Sequence, residues 1–284
     1  MKLGTFYQLI TDSVTAGLIS DTDKGLEDLK NYGLSFVDID SGIIDSICSA
    51  KKIAQQLKEF KIYTGSVFCW HHFPHKAENF MDIMREHTKC QLEIAAELNS
   101  KIFMPVPFVD TAHSSPDERK ICQNKITEYF SDVAEQSKAY GIQTVIENYS
   151  STNCPYSTIG DIEYILSQVP ELRYVLDCGN FWFGNTDVLD AAKRFLHITD
   201  HVHLKDIIPD PEGEIKVNEN SANSVAIGDG IIPFEEILSI LKKSDYHGGL
   251  SIEINTCNDV YNKAIRSFNY LNKIINEGES YENH

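Results

Sequence analysis

The sequence predicts a single (β/α)8 barrel over residues 1–284, with 276–284 as a polar, frayed tail. Three observations support that fold class. Eight strand-like segments alternate with helical patterns along the chain, which is the order a closed parallel barrel needs. No Gly-x-Gly-x-x-Gly turn follows the first strand, which weighs against a doubly wound sheet. A weak internal echo repeats the passage from helix end through Tyr-Gly into a strand, in KNYGLSFVDI, KAYGIQTVIE and, nearly, SDYHGGLSIEI.

The strands are expected at KLGTFYQLI (2–10), LSFVDID (34–40), KIYTGSVFCW (61–70), KIFMPVPFV (101–109), QTVIENYS (143–150), RYVLDCGNF (173–181), DHVHLKDI (200–207) and GLSIEIN (249–255). Each is a short run rich in β-branched or aromatic residues. Of the helical patterns between them, residues 115–141 give the clearest. Ser115 reads as the N-cap, Pro116 as the first helical position, Glu118 as the partner in a capping box, and Gly141 as the stop. Ile121, Ile126, Tyr129, Phe130 and Val133 form its expected buried stripe. Residues 78–100 and 259–277 are comparably helical, whereas 209–233 read as a long polar loop, functional or mobile.

Composition narrows the function classes. The net charge of -17 repels polyanions on average, because nucleic-acid affinity comes largely from lysine and arginine replacing counterions. No apolar run is long enough to span a bilayer, and MKLGTFYQLITDS lacks the apolar centre of a secretory leader. The 7 cysteines are dispersed without a C-x-x-C pair, which predicts free thiols and a cytoplasmic chain. A small neutral ligand, or one held through a cation, suits this balance.

In HVHLKD, alternation puts His201, His203 and Lys205 on one face of a strand and Val202 and Leu204 on the other. Polar groups on an inward face are costly to bury without partners. In a barrel the chemistry sits at the C-terminal ends of the strands. There, four consecutive strands each place an ionisable group where the apolar run stops: Glu147, Asp177, His203 and Glu253. Each has a structural reading as well: a rim ion pair for Glu147, a turn cap for Asp177, a satisfied core imidazole for His203, a pair with Lys205 for Glu253. Converging at one mouth, three carboxylates would repel one another unless a cation or a proton intervenes. One divalent metal resolves this. The oxygen-rich set suits Mn2+, Mg2+ or Co2+, with Zn2+ compatible with an open catalytic site.

The motifs IEN, LDCGN, HVHLKD, GDGIIPF and IEIN, in the order Glu, Asp, His, Glu over the last four strands, resemble the xylose-isomerase-like barrels. Within them they are most similar to the sugar phosphate isomerase/epimerase group, with its ketose 3-epimerases and inosose dehydratases. The resemblance covers nearly the whole chain, with its specific motifs in the second half. It implies Glu147, Asp177, His203 and Glu253 as metal ligands, and Glu147 and Glu253 as an acid/base pair acting on a keto-sugar or related polyol through an enediolate. It also implies a homo-oligomer, although no sequence feature measures an interface. Asn180 and Asn153 stand where many ketose epimerases carry a substrate-touching histidine and a second glutamate, and Pro209 and Asp210 stand where an arginine is expected. These departures weigh against a ketohexose 3-epimerase and leave the metal set intact.

Further substrate contacts are expected from Trp70 and His72 in CWHHFPH, and from Asn180, Trp182 and Lys205. Trp70 offers a flat wall for a sugar ring, and His71 or His72 a donor, unless that loop is merely surface. Phe6 and Tyr7 are further aromatic rim candidates, although core packing is the favoured reading of Phe6. Lys205 reads equally as a substrate ligand or as the partner of Asp206 or another rim carboxylate. His201, one layer deeper, reads as packing or support, and the Gly-Asp-Gly of 228–230 as a turn. An inosose-type dehydratase would use the same site. An abasic-site endonuclease shares the barrel but needs more histidines and a basic track. A binding protein that keeps the metal without catalysis is the remaining class, which Asn153 and Asn180 leave open.

Overall fold

The computed structural model describes residues 1–244, 246–255 and 259–280. Its strands, in chain order, are β1 (Lys2–Phe6), β2 (Leu34–Asp40), β3 (Tyr63–His72), β4 (Ile102–Phe108), β5 (Gln143–Glu147), β6 (Arg173–Asp177), β7 (Thr199–Pro209), β8 (Ile215–Val217), β9 (Asn220–Val225) and β10 (Gly249–Glu253). β1 to β7 run parallel in sequence order, and β10 closes the ring by pairing with both β1 and β7. Helices between successive strands form the outer layer, so the chain is a (β/α)8 barrel, as expected.

Alternation sorts the side chains. Val202 and Leu204 of β7, like Val37 and Ile39 of β2, point outward into the apolar layer beneath the helices. Inside the ring a small separate cluster, Met104, Val106, Val145 and Val175, fills the barrel. Val145 and Val175 lie two residues before Glu147 and Asp177, hence on the same inward face and one layer deeper. The apolar floor therefore stops where the ionisable groups begin.

Local signals locate some elements well. The helix Pro116–Lys138 starts at the predicted capping box: the Ser115 N–H donates to Glu118 Oε2 at 2.7 Å, and the Glu118 N–H to Ser115 Oγ at 3.3 Å. Gly141 takes φ +64 just beyond its end, a left-handed conformation that glycine adopts without strain. Ile121 does not belong to the buried stripe. It is 57% exposed, and its neighbour Cys122 is buried instead. The first strand ends at Phe6, and Tyr7–Thr15 is a helix although Tyr7 and Ile10 are strand formers: Gln8 and Leu9 favour a helix, and Tyr7 and Ile10 bury three residues apart on one helical face. The sixth strand likewise stops at Asp177, ahead of a one-turn helix Asn180–Phe183.

The loop 209–233 contains structure that the sequence reading leaves out. β8 and β9 form an antiparallel hairpin, and β9 pairs with the end of β7 from Asp206 to Pro209. Val217 pairs with Asn220, leaving a two-residue turn in which Asn218 takes φ +54, a conformation asparagine tolerates. The last helix runs Val260–Ser280 and overlaps the tail expected over 276–284, whose residues 281–284 lie outside the described residues. Among the described residues, no helix is long and apolar enough to cross a membrane, and 6 cysteines are free; Cys257 lies outside them.

Candidate active site at the barrel mouth

Register brings the four ionisable strand ends together. Asp177 pairs with His203 across β6 and β7, and Glu253 with Lys205 across β10 and β7. One ligand atom from each of Glu147, Asp177, His203 and Glu253 lies within 4.8 Å of the others. His203 Nδ1 is 2.5 Å from Glu147 Oε1 and 3.8 Å from Glu253 Oε2. Burial opposes charge on His203, but the Glu147 carboxylate outweighs it and raises the imidazole to about 9.

Asp177 divides its two oxygens between tasks. Oδ1 accepts the N–H groups of Gly179 and Asn180 at 2.8 and 2.7 Å, capping the turn into the short helix. Oδ2 faces the ammonium of Lys205 at 3.0 Å. Burial pushes the Asp177 carboxyl up to about 6, with Lys205 pulling the other way.

Lys205 is buried within the carboxylate cluster rather than standing at the rim. Its Nζ is 2.7 Å from Glu253 Oε1 and 2.9 Å from Asn180 Oδ1. Burial disfavours its charge, but Asp177 and Glu253 outweigh that and hold the ammonium well above its ordinary range. Gly179 makes room for its stem, since a Cβ there would lie 2.7 Å from Lys205 Cγ. Asp206, offered as a partner for Lys205, faces elsewhere. Its carboxylate accepts the N–H groups of Gly228, Gly230 and Ile232, which fixes the Gly-Asp-Gly turn.

Below this layer lies Asp38, which the sequence reading passes over. Its Oδ1 accepts the N–H and hydroxyl of Ser66 at 2.7 and 2.8 Å, and its Oδ2 lies 2.8 Å from His201 Nε2. Burial works against ionisation, but His201 and then His203 prevail, and the carboxyl is held at about 2. His203 Nε2 points the same way but stops 3.7 Å from Asp38 Oδ2, beyond hydrogen-bond reach. His201 thus belongs to the support beneath the site. The sequence signal for Asp38 is the acid in LSFVDID, on the inward side with Phe36, whose ring stands edge-on to His201.

A cavity of about 170 Å3 opens above these groups, lined among others by Glu147, Asn180, His203, Lys205 and Glu253. Its apolar side is Phe6, Phe68 and Trp70. Phe6 stands edge-on to His203 with ring centres 5.0 Å apart, and Trp70 stacks on Phe108 and donates to the Tyr149 hydroxyl at 3.3 Å. Tyr149 and Phe68 line it too, and the sequence reading names neither. A wider cavity of about 660 Å3 shares Phe6, Phe68 and Glu253 with the first and extends to Glu214 ahead of the hairpin. Four candidate contacts fall outside both cavities, the first being His71, whose ring packs against His87 and Tyr129. His72 is exposed at the end of β3, Trp182 packs against Phe183 and the outer core, and Tyr7 is buried beneath the helices with its hydroxyl donating to Gln56.

The donor set fits a divalent cation. Lys205 pairs with Asp177 and Glu253 and His203 with Glu147, so three carboxylates meet at most two positive charges where four donors converge. Oxygen donors with a single imidazole suit a hard or borderline ion.

Comparison with known proteins agrees with this architecture. The xylose isomerase-like TIM barrel family model matches residues 26–273. An inosose isomerase of Halalkalibacterium halodurans is 28% identical over 58% of this chain, and the match spans only 57% of that relative. An inosose dehydratase of Clostridium botulinum is 25% identical over 89% of this chain and 83% of its own length. The crystal structure of a D-psicose 3-epimerase with D-tagatose from Clostridium cellulolyticum H10 superposes with a TM-score of 0.74 at 13% identity, covering 96% of this chain and 99% of that one. A closed parallel barrel, an acid-rich mouth on its last four strands and a family match over most of the chain converge: the protein belongs to the xylose isomerase-like TIM barrel family.

Proposed function

We propose that the chain is a divalent-metal-dependent isomerase or epimerase acting on a keto-sugar or related polyol. The observation that carries this is the convergence of Glu147, Asp177, His203 and Glu253 within 4.8 Å, the first and the last two lining the mouth cavity. These residues would hold one Mn2+, Co2+, Mg2+ or Zn2+ ion, which when bound supplies Lewis acidity toward a carbonyl and its neighbouring hydroxyl. The 170 Å3 cavity is smaller than the roughly 300–1,000 Å3 usual for drug-sized ligands, which favours a substrate of monosaccharide size.

The protein's own groups move the protons. Glu147 and Glu253 project from β5 and β10, on different sides of the mouth. One removes the proton from the carbon next to the carbonyl, and the other returns a proton to the opposite face of the planar enediolate. The result is epimerisation, or isomerisation if the proton returns to the adjacent carbon. Lys205 holds Glu253 in place and presents an ammonium to substrate oxygens. Asn180 anchors Lys205 on one side and donates to the Asn148 carbonyl on the other. Phe6, Phe68 and Trp70 keep water from the apolar face of the sugar.

That same ammonium favours a second reading, dehydration of an inosose. One glutamate takes the α-proton and passes it to a β-hydroxyl, which departs as water, while the Lys205 ammonium stabilises the negative charge that develops on the carbonyl oxygen. The inosose dehydratase relative is consistent with it. One experiment separates the readings: keto-sugars and inososes incubated with the enzyme and Mn2+ or Co2+ in D2O. Isomerase or epimerase action places deuterium beside the carbonyl without loss of mass, whereas dehydratase action removes one water. No turnover and no exchange with any member of either class would sink both and leave a metal-binding protein without catalysis.

A further inference from the structure

On the outer face of β3, away from the mouth, three side chains converge that the proposed chemistry does not use. Cys69 and His71 alternate with Trp70 along β3, so they point away from the barrel interior, toward the helix Phe80–Glu97 that carries His87. Cys69 Sγ lies 3.8 Å from His87 Nε2, and the two imidazole rings are 4.8 Å apart. One ligand atom from each of the three lies within 4.8 Å of the others. Tyr129 stands edge-on to His71 with ring centres 5.6 Å apart and shields one side of the group.

Two features set this apart from ordinary packing. His71 Nδ1 is 3.1 Å from the Cys69 carbonyl oxygen, which can only accept. The proton therefore sits on Nδ1, and Nε2 keeps its lone pair. That Nε2 is buried without a hydrogen-bond partner, and so is His87 Nδ1. Only His71 is carbonyl-fixed with a free second nitrogen, the way metal-binding histidines are oriented; His87 turns its other nitrogen, Nε2, to Cys69. Both rings are also kept neutral, as ligands must be: burial draws His71 down to about 4 and lowers His87 as well.

We propose that Cys69, His71 and His87 form a second metal site, selective for a thiolate- and imidazole-preferring divalent ion of the zinc class. The bond lengths of such an ion, about 2.3 Å to sulfur and about 2.0–2.1 Å to nitrogen, give a tetrahedral sulfur–nitrogen separation of about 3.6 Å, close to the 3.8 Å observed. Burial pushes the Cys69 thiol up to about 12, so it stays protonated until the cation arrives. On binding, the S–H bond breaks, its proton leaves to solvent, and the sulfur–metal bond forms with no change of oxidation state. Water takes the fourth position. The ion ties the helix Phe80–Glu97 to the strand whose end carries Trp70. The two sites differ in donors, sulfur and nitrogen here against oxygen and one nitrogen at the mouth.

That difference supplies the test. The full-length protein is titrated with Co2+ and followed in the near ultraviolet, where only a thiolate ligand gives an intense sulfur-to-cobalt charge-transfer band. The mouth has no sulfur donor and cannot produce it. The wild type is expected to show the band and to bind one equivalent of metal beyond the mouth's share. Cys69→Ala and His87→Gln should each lose the band and that equivalent, while His203→Ala keeps both. His87 is only half-buried on an outer helix, so its variant remains informative if Cys69→Ala does not fold. No thiolate band in the wild type, or a band that persists in His87→Gln, overturns the site.

Discussion

Lys205 is the residue on which the chemistry of the mouth turns, because it occupies part of the charge balance a metal would otherwise have to itself. Its ammonium is buried against Asp177 and Glu253 at 3.0 and 2.7 Å. Breaking a buried pair from one side costs about 3–5 kcal/mol, since the remaining charge is left without compensation. Lys205→Met keeps the stem and removes the charge. Urea unfolding of the metal-free variant should show a loss of stability in that range, and much of the loss should return when Mn2+ is added, because the cation takes over the compensation. Equal loss with and without metal would mean that no ion sits beside these carboxylates. Asp38 makes a complementary prediction from beneath. It receives His201 and Ser66 and lies 3.7 Å from the far nitrogen of His203, so its charge acts on that imidazole without a hydrogen bond. Asp38→Asn should weaken metal binding about 10–100-fold while leaving all four ligands in place. Isothermal titration with Mn2+ reads this directly, and unchanged affinity would reduce Asp38 to a structural role.

At the level of elements, the β8–β9 hairpin bears on the mouth. The Ser151 hydroxyl after β5 donates to Asn218 Oδ1 in the turn at 2.8 Å, and Asn220 Nδ2 donates to the Phe183 carbonyl after β6 at 3.0 Å. Ser224 of β9 receives the N–H of Asn255, just past Glu253. The hairpin thus bridges the loops beyond three of the strands that carry the site. Replacing residues 211–223 by a short Gly-Ser linker should leave the barrel folded and raise KM for the substrate. A circular-dichroism melt close to that of the intact protein, with weakened substrate binding, is the expected pair of results; an unchanged KM would show that the hairpin does not bear on the substrate. This element also marks the limit of what the sequence reveals. β7 is legible because its period-two pattern runs for a full strand with one polar face, so His201, His203 and Lys205 come out on the correct side. NSANSV has no such pattern, and β9 exists because β7 offers it an edge from Asp206 to Pro209. Tyr7 and Ile10 mislead in the opposite sense, as strand formers held helical by burial. The quartet Glu147, Asp177, His203 and Glu253 is readable because four consecutive barrel strands each carry an ionisable group near their C-terminal end. Asp38 is harder, since β2 stands apart from that series, and His72 and Trp182 show that being near a strand end does not bring a side chain to the cavity.

For the whole molecule, protons would compete with a metal in the proposed site for one imidazole, and this competition would set how stability depends on pH. His203 is raised to about 9 in the folded chain, above its ordinary value of ~6.5. The stability its imidazolium contributes is therefore fully present below about pH 6.5 and is lost as pH rises through about 9. Asp38, held at about 2 against an ordinary ~3.9, contributes above about pH 3.9, and that share is lost only as pH falls through about 2. Asp177 acts in the opposite direction. Raised to about 6, it binds its proton more readily in the folded state, so folding gains as pH falls from about 6 toward about 4. The metal-free protein should accordingly be most stable under mildly acid conditions and lose stability steadily from about pH 6.5 to about 9. A metal ion needs His203 without its competing proton, so affinity should rise over the same interval. Each tenfold gain in affinity at fixed excess metal adds about 1.4 kcal/mol of apparent stability. The two trends act together: the difference in Tm between protein with Mn2+ and protein with chelator should widen as pH rises from about 6.5 to about 9. Thermal melts at fixed free Mn2+ across that range measure it, and His203→Gln, with no proton to displace, should flatten the dependence. A gap that stays constant in the wild type, or narrows toward pH 9, would show that His203 does not ligate the metal, and the site would have to be redrawn with carboxylates alone.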